Sequence, residues 1–145
     1  MTEFRFYHPI QVRFSDLDTQ WHVNNARYIT FLEDARISYL KKLDLFDGKS
    51  FHDLHIIVAN ININYLAPIH PNQKVSVGLR VSRLGNKSMT ISYQIEDQET
   101  GKAMARAETI MVAYDYITQQ SVPISQEWRQ KISAFEDIPM GPPKE

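Results

Sequence analysis

The chain has 145 residues, of which 43% are hydrophobic and 23% are charged. This length and composition predict a single globular domain over residues 1–145, with a core large enough to be stable. A net charge of -1 and the absence of cysteine argue against a nucleic-acid partner, a thiol nucleophile, a thiolate metal site and disulfides. The sequence has no apolar run of signal-peptide or membrane-spanning length, so we expect a soluble, cytoplasmic protein without a membrane span.

The first predicted element is a short strand that ends at Ser15. Ile10, Val12 and Phe14 alternate with polar residues, a pattern typical of a half-buried strand. A helix is predicted to begin shortly afterwards, and we call the segment between them, residues 15–25, the entrance corner. It contains these polar residues: Asp16, Asp18, Gln20, His22, Asn24 and Asn25. The free N–H groups and partial positive charge of a helix N-terminus beside them predict a site that can polarise a carbonyl group.

A long helix is predicted from about Asn25 to Leu43, with a wide apolar arc and a narrow polar stripe. Such a broad apolar surface predicts that strands wrap around the helix. Arg36 lies in the middle of the arc, where a guanidinium needs an anionic partner. Glu33 and Asp16 are the two candidates for that partner. We expect all three residues to be structural, with Arg36 bracing the entrance corner.

Strand patterns dominate the rest of the chain. Period-two alternation, interrupted by turn residues such as Gly85 and Asn86, predicts four antiparallel strands near 57–65, 75–82, 89–96 and 102–116. The last of these strands is apolar on both faces, so we expect it to be covered on both. The first has Asn60, Asn62 and Asn64 on its non-core face, which is predicted to meet a partner subunit, to line a ligand tunnel, or simply to be solvated.

A second, shorter helix is predicted from about Ile124 to Phe135, with Ser125 as a possible N-cap, followed by a loose tail over about 137–145. The predicted fold class is therefore α+β, with one long helix, a five-stranded antiparallel sheet and a short C-terminal helix.

Asp18 is the residue of the entrance corner best suited to chemistry. A carboxylate near the positive end of a helix can stay ionised, and it can then attack an ester or thioester carbonyl or activate a water toward it. Backbone amides around His22, Val23 and Asn24 are expected to hold the oxyanion. The alternative is that Asp18 and Asn24 only cap a turn and the helix start.

Other chemistries have less support in the sequence. Asp16, Asp18 and His22 offer too few ligands at suitable spacing for a metal site, so none is predicted. A G-x-S-x-G nucleophile elbow and glycine-rich phosphate loops are both absent. The remaining histidines are interpreted as ordinary surface or satisfied residues: His8, His52, His55 and His70.

The segment DLDTQWHVNNARYITFLEDAR resembles the opening motif of hotdog-fold thioesterases, particularly the 4-hydroxybenzoyl-CoA thioesterase-like branch. Its D-x-Q-x-H-V-N-N core is also similar to the catalytic stretch of plant acyl-ACP thioesterases. The resemblance implies that Asp18 is the catalytic carboxylate and His22 its partner, with Gln20 where the plant enzymes carry asparagine. It implies that Asn25 and Tyr28 shape the pocket; we count Asn24 with them as a substrate-binding candidate.

The resemblance further implies a hotdog fold, in which a curved sheet wraps the helix. Two subunits then join edge to edge, as a homodimer or as a pair of such dimers in a homotetramer, with active sites at the junction. For a nucleotide-tailed substrate it places the phosphate contacts near Arg83, Lys87 and Ser88, although charged residues at a hairpin tip are often simply solvated.

The sequence thus predicts an acyl-CoA thioesterase without a cofactor, since CoA is part of the substrate, and acyl carrier protein is the other possible carrier. Two alternatives remain at this stage: a non-catalytic acyl-thioester or acyl-carrier-protein binding module, and a hotdog dehydratase.

Overall fold

The computed structural model describes residues 4–50 and 54–141. His52 and the last part of the predicted tail, 142–145, lie outside these residues. The elements follow one another as β1 (Phe6–Ile10), α1 (Asn25–Lys42), β2 (Ile56–Tyr65), β3 (Val75–Leu84), β4 (Ser88–Asp97), β5 (Ala103–Asp115), β6 (Gln120–Ser121) and α2 (Gln126–Glu136). Within the described residues, neither helix has the length and apolarity needed to cross a membrane.

The strands form one antiparallel sheet in the order β1-β3-β4-β5-β2, and the short β6 pairs with the end of β5. The five predicted strands are therefore confirmed in number, and β6 is an addition. Register shifts interrupt the β2–β5, β3–β4 and β4–β5 pairs. Such bulges bend strands, which helps the sheet to curve around α1.

The core lies between α1 and the concave face of the sheet. Helix α1 buries Tyr28, Leu32, Ala35 and Tyr39, each no more than 2% exposed. The sheet contributes a set of buried aliphatic and aromatic side chains: Val75, Val77, Leu79, Val81, Met89, Ile91, Tyr93 and Ile95. The prediction of a long helix wrapped by strands is confirmed, because alternate residues of the central strands all point at it.

Strand β5 differs from its prediction on the outer face. Met104 is buried, but Ile110, Val112 and Tyr114 remain partly exposed, so this strand is not fully covered on both faces. The asparagines of β2 also lie on this outer, convex face and are exposed: Asn60, Asn62 and Asn64.

The first strand was predicted in the wrong place. Strand β1 ends at Ile10, and Phe14–Asp16 forms a 3₁₀ turn in which Phe14 is 78% exposed. The cause is Asp16, whose buried carboxylate accepts a hydrogen bond from the backbone N–H of Arg13 (2.8 Å) and draws the chain into the turn. The alternation of apolar residues does not show that the Asp16 carboxylate is buried and bonded to the backbone three residues earlier.

Helix α2 begins at Gln126, and Ser125 caps it by accepting a hydrogen bond from the N–H of Trp128 (3.3 Å). The carboxylate of Glu136 accepts hydrogen bonds from the Tyr39 hydroxyl (2.7 Å) and the Val81 N–H (3.0 Å), which ties α2 to α1 and β3. Burial and this hydrogen bond raise the pKa of Tyr39, so its phenol remains a donor.

The segment after α2 makes contacts in its described part. Ile138 packs against the core, and the carbonyl of Met140 accepts a hydrogen bond from Arg129 (2.8 Å). Residues 137–141 of the predicted tail are therefore held against the domain.

Candidate active site

The entrance corner contains a tight hairpin loop closed by Asp18 and His22. Leu17 pairs with Val23 as an antiparallel bridge, and the Asp18 N–H donates to the His22 carbonyl (2.8 Å). The Trp21 N–H donates a hydrogen bond to the Asp18 carbonyl (3.1 Å), which makes a four-residue turn. This backbone bonding fixes where the Asp18 side chain can lie.

The Asp18 carboxylate is held by its own loop. Its Oδ1 atom accepts hydrogen bonds from the N–H groups of Gln20 (2.9 Å) and His22 (3.3 Å). Within the described residues no hydrogen bond reaches Oδ2, and the side chain is only half-buried. The capping role considered for Asp18 therefore occupies one oxygen and leaves the other available to a ligand or a water.

Asn24 caps helix α1, because its Oδ1 accepts a hydrogen bond from the Ala26 N–H (2.8 Å). The prediction that the amides of His22, Val23 and Asn24 together hold the oxyanion is wrong. The N–H groups of His22, Val23 and Asn24 already donate to Asp18 Oδ1, to the Ile69 carbonyl and to the Asp16 carbonyl.

At the first residue of the helix, Asn25, the N–H has no protein acceptor among the described residues. It lies at the positive end of α1, so it is a backbone donor of the corner that is open to a ligand oxygen.

Tyr28 and Tyr65 close the inner side of the corner. Their rings meet edge to face at 4.9 Å, and the Tyr65 hydroxyl donates to the Asn25 carbonyl (3.0 Å). Tyr28 is 2% exposed. Burial raises the pKa of the Tyr28 phenol, a hydrogen bond with the Ile69 backbone partly offsets this, and the nearby Tyr65 and Asp18 raise it again. The Tyr28 hydroxyl therefore stays protonated near the Asp18 carboxylate.

His70 is a residue of the corner that the sequence did not indicate. Its ring meets the His22 ring edge to face at 5.1 Å, and the Val23 N–H to Ile69 carbonyl bond holds the two segments together. The only signal in the sequence is a histidine between two prolines, which also describes many surface loops.

Arg36 lies away from the entrance corner, so the prediction that it braces this corner is wrong. Its Nη1 donates to the Tyr93 hydroxyl (3.2 Å), and Nη2 lies 3.9 Å from Glu33. Asp16 is not its partner: that buried carboxylate lies 3.3 Å from Arg13 and 3.7 Å from Arg27. Arg36 instead belongs to a polar chain beneath α1 that continues from Tyr93 to Thr109 (2.8 Å).

The candidate phosphate contacts lie at the other end of the sheet. Arg83 and Lys87 are exposed and Ser88 is half-buried around the β3–β4 turn, where Ser88 pairs with Val112. Strand β2 has ten residues, so its Tyr65 end and this opposite end are about 30 Å apart. One chain therefore does not bring these residues beside Asp18.

An open groove of about 870 Å³ lies along the outward side of α1. One wall is apolar and includes Phe31, Ile37, Leu40, Ile56, Ile57 and Val58. The rest of the lining includes Arg13, Glu33, Asp34 and Arg36, and Asp18 does not line the groove. A smaller cavity of about 200 Å³ near Trp128 shares Ile56 and Met111 with the groove. Among the described residues, no cluster of three or more histidine, aspartate or glutamate side chains is arranged to hold a metal ion.

The family model described as the Thioesterase-like superfamily matches residues 12–132, which include the entrance corner and every long strand after it. The chain belongs to this family. It is similar to the long-chain acyl-CoA thioesterase FadM of Escherichia coli K12, with 36% identity over 123 residues, 85% of this chain and 93% of the relative. It is also similar to a 1,4-dihydroxy-2-naphthoyl-CoA hydrolase of Synechocystis, with 24% identity over 88% of this chain and 94% of that protein.

Among solved structures, this thioesterase-like chain resembles a Thermus thermophilus thioesterase crystallised with coenzyme A and zinc. The TM-score is 0.83 at 30% identity, covering 96% of this chain and 100% of that one. The predicted hotdog fold is therefore confirmed, since the long helix, the curved antiparallel sheet and the short C-terminal helix all correspond.

Proposed function

We propose that this thioesterase-like protein hydrolyses acyl-CoA thioesters to a free acid and CoA, with Asp18 as its catalytic carboxylate. Family membership supports the reaction class, and the relatives named for acyl-CoA hydrolysis support the substrate class. The observation that carries the residue assignment is the Asp18 carboxylate itself. It is fixed through Oδ1 in the loop that leads into helix α1 and retains a free oxygen.

The chemistry assigned to the corner is addition to the thioester carbonyl. Oδ2 of Asp18 either removes a proton from the attacking water or attacks the carbonyl carbon itself. In either case the carbonyl oxygen gains negative charge, which the Asn25 N–H and the helix dipole stabilise. When water attacks, the C–S bond breaks and the thiolate takes the proton that Asp18 removed from the water, with His22 as the nearby relay. When Asp18 attacks, the departing thiolate leaves an acyl-aspartyl anhydride, which water hydrolyses to the acid and the free carboxylate, and the proton released goes to the thiolate. Water supplies the oxygen of the acid, and no cofactor takes part.

A complete site on this proposal needs two chains. Strand β2 is a ten-residue edge strand with no lysine or proline, whereas the other edge, β1, is short and contains Pro9. An unprotected edge of this kind favours pairing with another strand. Pairing with a second copy about a twofold axis is antiparallel, so the Tyr65 end of one β2 lies beside the Ile56 end of the other.

This arrangement would bring together the groups that one chain keeps apart. The partner's groove and its β3–β4 turn would then lie on the side of this chain's Asp18. The acyl chain would lie along the apolar wall of the groove, and Arg83 and Lys87 would contact the phosphates of CoA or of an acyl carrier protein. The proposed assembly is a homodimer or a pair of such dimers.

The test is the Asp18→Asn variant. The side-chain amide oxygen of the introduced asparagine can still accept the two loop hydrogen bonds, so we expect an unchanged unfolding temperature. We also expect a fall in kcat/KM of at least about 100-fold on acyl-CoA substrates. Hydrolysis is followed by release of the CoA thiol.

The matched control is Asp47→Asn. Asp47 caps its own turn in the same way, through the Lys49 N–H (2.8 Å), but it lies outside the corner, and its change should leave turnover intact. If Asp18→Asn kept full turnover, the assignment would be wrong. If the unaltered protein bound acyl-CoA without hydrolysing it, the binding-module alternative would replace the enzyme.

A further inference from the structure

Trp21 adopts a backbone conformation that favours glycine. The loop from Asp18 to His22 is a three-residue hairpin loop, and the turn bond from the Trp21 N–H to the Asp18 carbonyl leaves Trp21 at its third position. This position of such hairpins is normally left-handed and filled by glycine or asparagine. Trp21 has φ of 65°, and its large side chain gains no burial in return, since it is 57% exposed.

The indole has one described aromatic neighbour, which is also exposed. The ring of Phe14 meets it edge to face at 5.8 Å, although Phe14 itself is 78% exposed. These two rings form an uncovered aromatic surface, which we call the Phe14–Trp21 pair. A residue that keeps a strained conformation without packing in the core indicates a functional role rather than a role in stabilising the fold.

The pair lies directly beside the proposed reacting group. The two N–H groups that hold Asp18 Oδ1, those of Gln20 and His22, flank Trp21 in the chain. The indole is therefore carried by the same five-residue loop that holds the carboxylate. The backbone N–H groups of Asp18, Gln20, Trp21 and His22 are all bonded within the loop, so the two rings are the apolar surface that the loop presents.

We propose that the Phe14–Trp21 pair is the acyl-side specificity surface of the thioesterase site, covering the acyl chain close to the thioester. The inference rests on the proposed function. The two sides of a CoA thioester differ in chemistry: the pantetheine side carries amides and ends in phosphates, whereas a fatty acyl chain is wholly apolar. Exposed aromatic faces gain free energy by covering the apolar side. The pair therefore favours longer straight-chain acyl groups over acetyl.

The experiment compares Trp21→Gly with the unaltered protein over straight-chain acyl-CoAs from two to sixteen carbons. Glycine accepts the left-handed backbone, so the unfolding temperature should stay equal or rise. We expect kcat/KM to fall about tenfold for the long substrates and less than twofold for acetyl-CoA, which flattens the dependence on chain length. Phe14→Ser should change the profile in the same direction.

The matched control is Ile117→Ser, because Ile117 is 93% exposed on the β5–β6 turn and lies outside the entrance corner. It should leave both stability and chain-length dependence unchanged. An equal loss across all chain lengths, an unaltered profile, or a lower unfolding temperature with Trp21→Gly would each overturn the inference. None of these outcomes bears on Asp18, whose variant loses turnover on every substrate.

Discussion

Asp16 and Asp18 are neighbours in the entrance corner with different environments. Asp16 is fully buried, accepts a hydrogen bond from the Arg13 N–H and lies between the guanidinium groups of Arg13 and Arg27. Asp18 is half-buried and has a free oxygen. Burial with paired charges indicates a structural role, whereas partial exposure with an unused lone pair suits a reacting group.

Asp16→Ala should destabilise the fold. The change removes the buried acceptor that forms the 3₁₀ turn and the counter-charge of two partly exposed arginines, Arg13 and Arg27. We expect the free energy of unfolding to fall by about 2 kcal/mol, chiefly through the lost hydrogen bonds. Urea unfolding measures it. The control is Asp34→Ala, because the contact of Asp34 with His8 (3.1 Å) is 63% exposed on the Asp34 side and its loss should change stability by less than about 0.5 kcal/mol. Equal effects of the two changes would contradict the structural role of Asp16.

The residues that could be predicted from the sequence are those whose positions depend on local spacing. Asp18, His22 and Asn24 form one short loop and a helix cap, so their clustering follows from the chain itself. Phe14 and His70 could not be predicted in the same way. The exposure of Phe14 depends on a buried carboxylate two residues away, and the contact of His70 with His22 depends on a loop between two strands.

At the scale of elements, helix α2 is attached to the sheet through Arg129. This guanidinium is 5% exposed, and it donates to the carbonyls of Ile124, Gly85, Asn86 and Met140 at 2.7 to 3.2 Å. One side chain thereby links the start of α2, the β3–β4 turn and the segment after α2. The sequence predicted the helix and the turn but not this connection, because an arginine in an amphipathic helix normally faces solvent.

Arg129→Met should uncouple α2 from the turn. Methionine fills much of the space but donates no hydrogen bond, so the buried carbonyls lose their partner, and we expect a loss of about 3 kcal/mol in the free energy of unfolding. The control is Gln130→Met, at an exposed neighbouring position of the same helix. Hydrogen exchange of amides around Gly85 reports whether the turn loosens; unchanged exchange and stability would show that Arg129 does not hold it.

Strand-level prediction succeeded where a pattern of period two coincided with burial on one face. Strands β2 to β5 were predicted within a few residues for this reason. It failed at β1 because the alternation continued through residues that the chain uses for a turn. Of the two partners predicted for Arg36, Glu33 lies at 3.9 Å and Asp16 does not pair with it. The contact with Tyr93 was not predicted, since helical spacing gives the direction of a side chain but not the strand that lies opposite it.

At the scale of the whole molecule, the chain contains all the proposed parts of the site without assembling them. Asp18 lies at the Tyr65 end of β2, while the apolar groove reaches Ile56 and the Arg83–Lys87 turn lies at that same opposite end. The sequence could not show this separation, because it depends on strand direction across the sheet. We therefore expect Asp18 of one chain to work with the cationic turn of another.

A hybrid dimer is the sharpest test of this two-chain site. Chains with Asp18→Asn and chains with both Arg83→Ala and Lys87→Ala are co-expressed with different tags, and the mixed dimer is purified through both. Each parent homodimer should be strongly impaired in acyl-CoA hydrolysis. The mixed dimer should regain roughly half of the unaltered activity, because one of its two sites combines an intact Asp18 with an intact turn. Activity no higher than the mean of the two parents would contradict the two-chain site, as would a fully active Arg83–Lys87 variant.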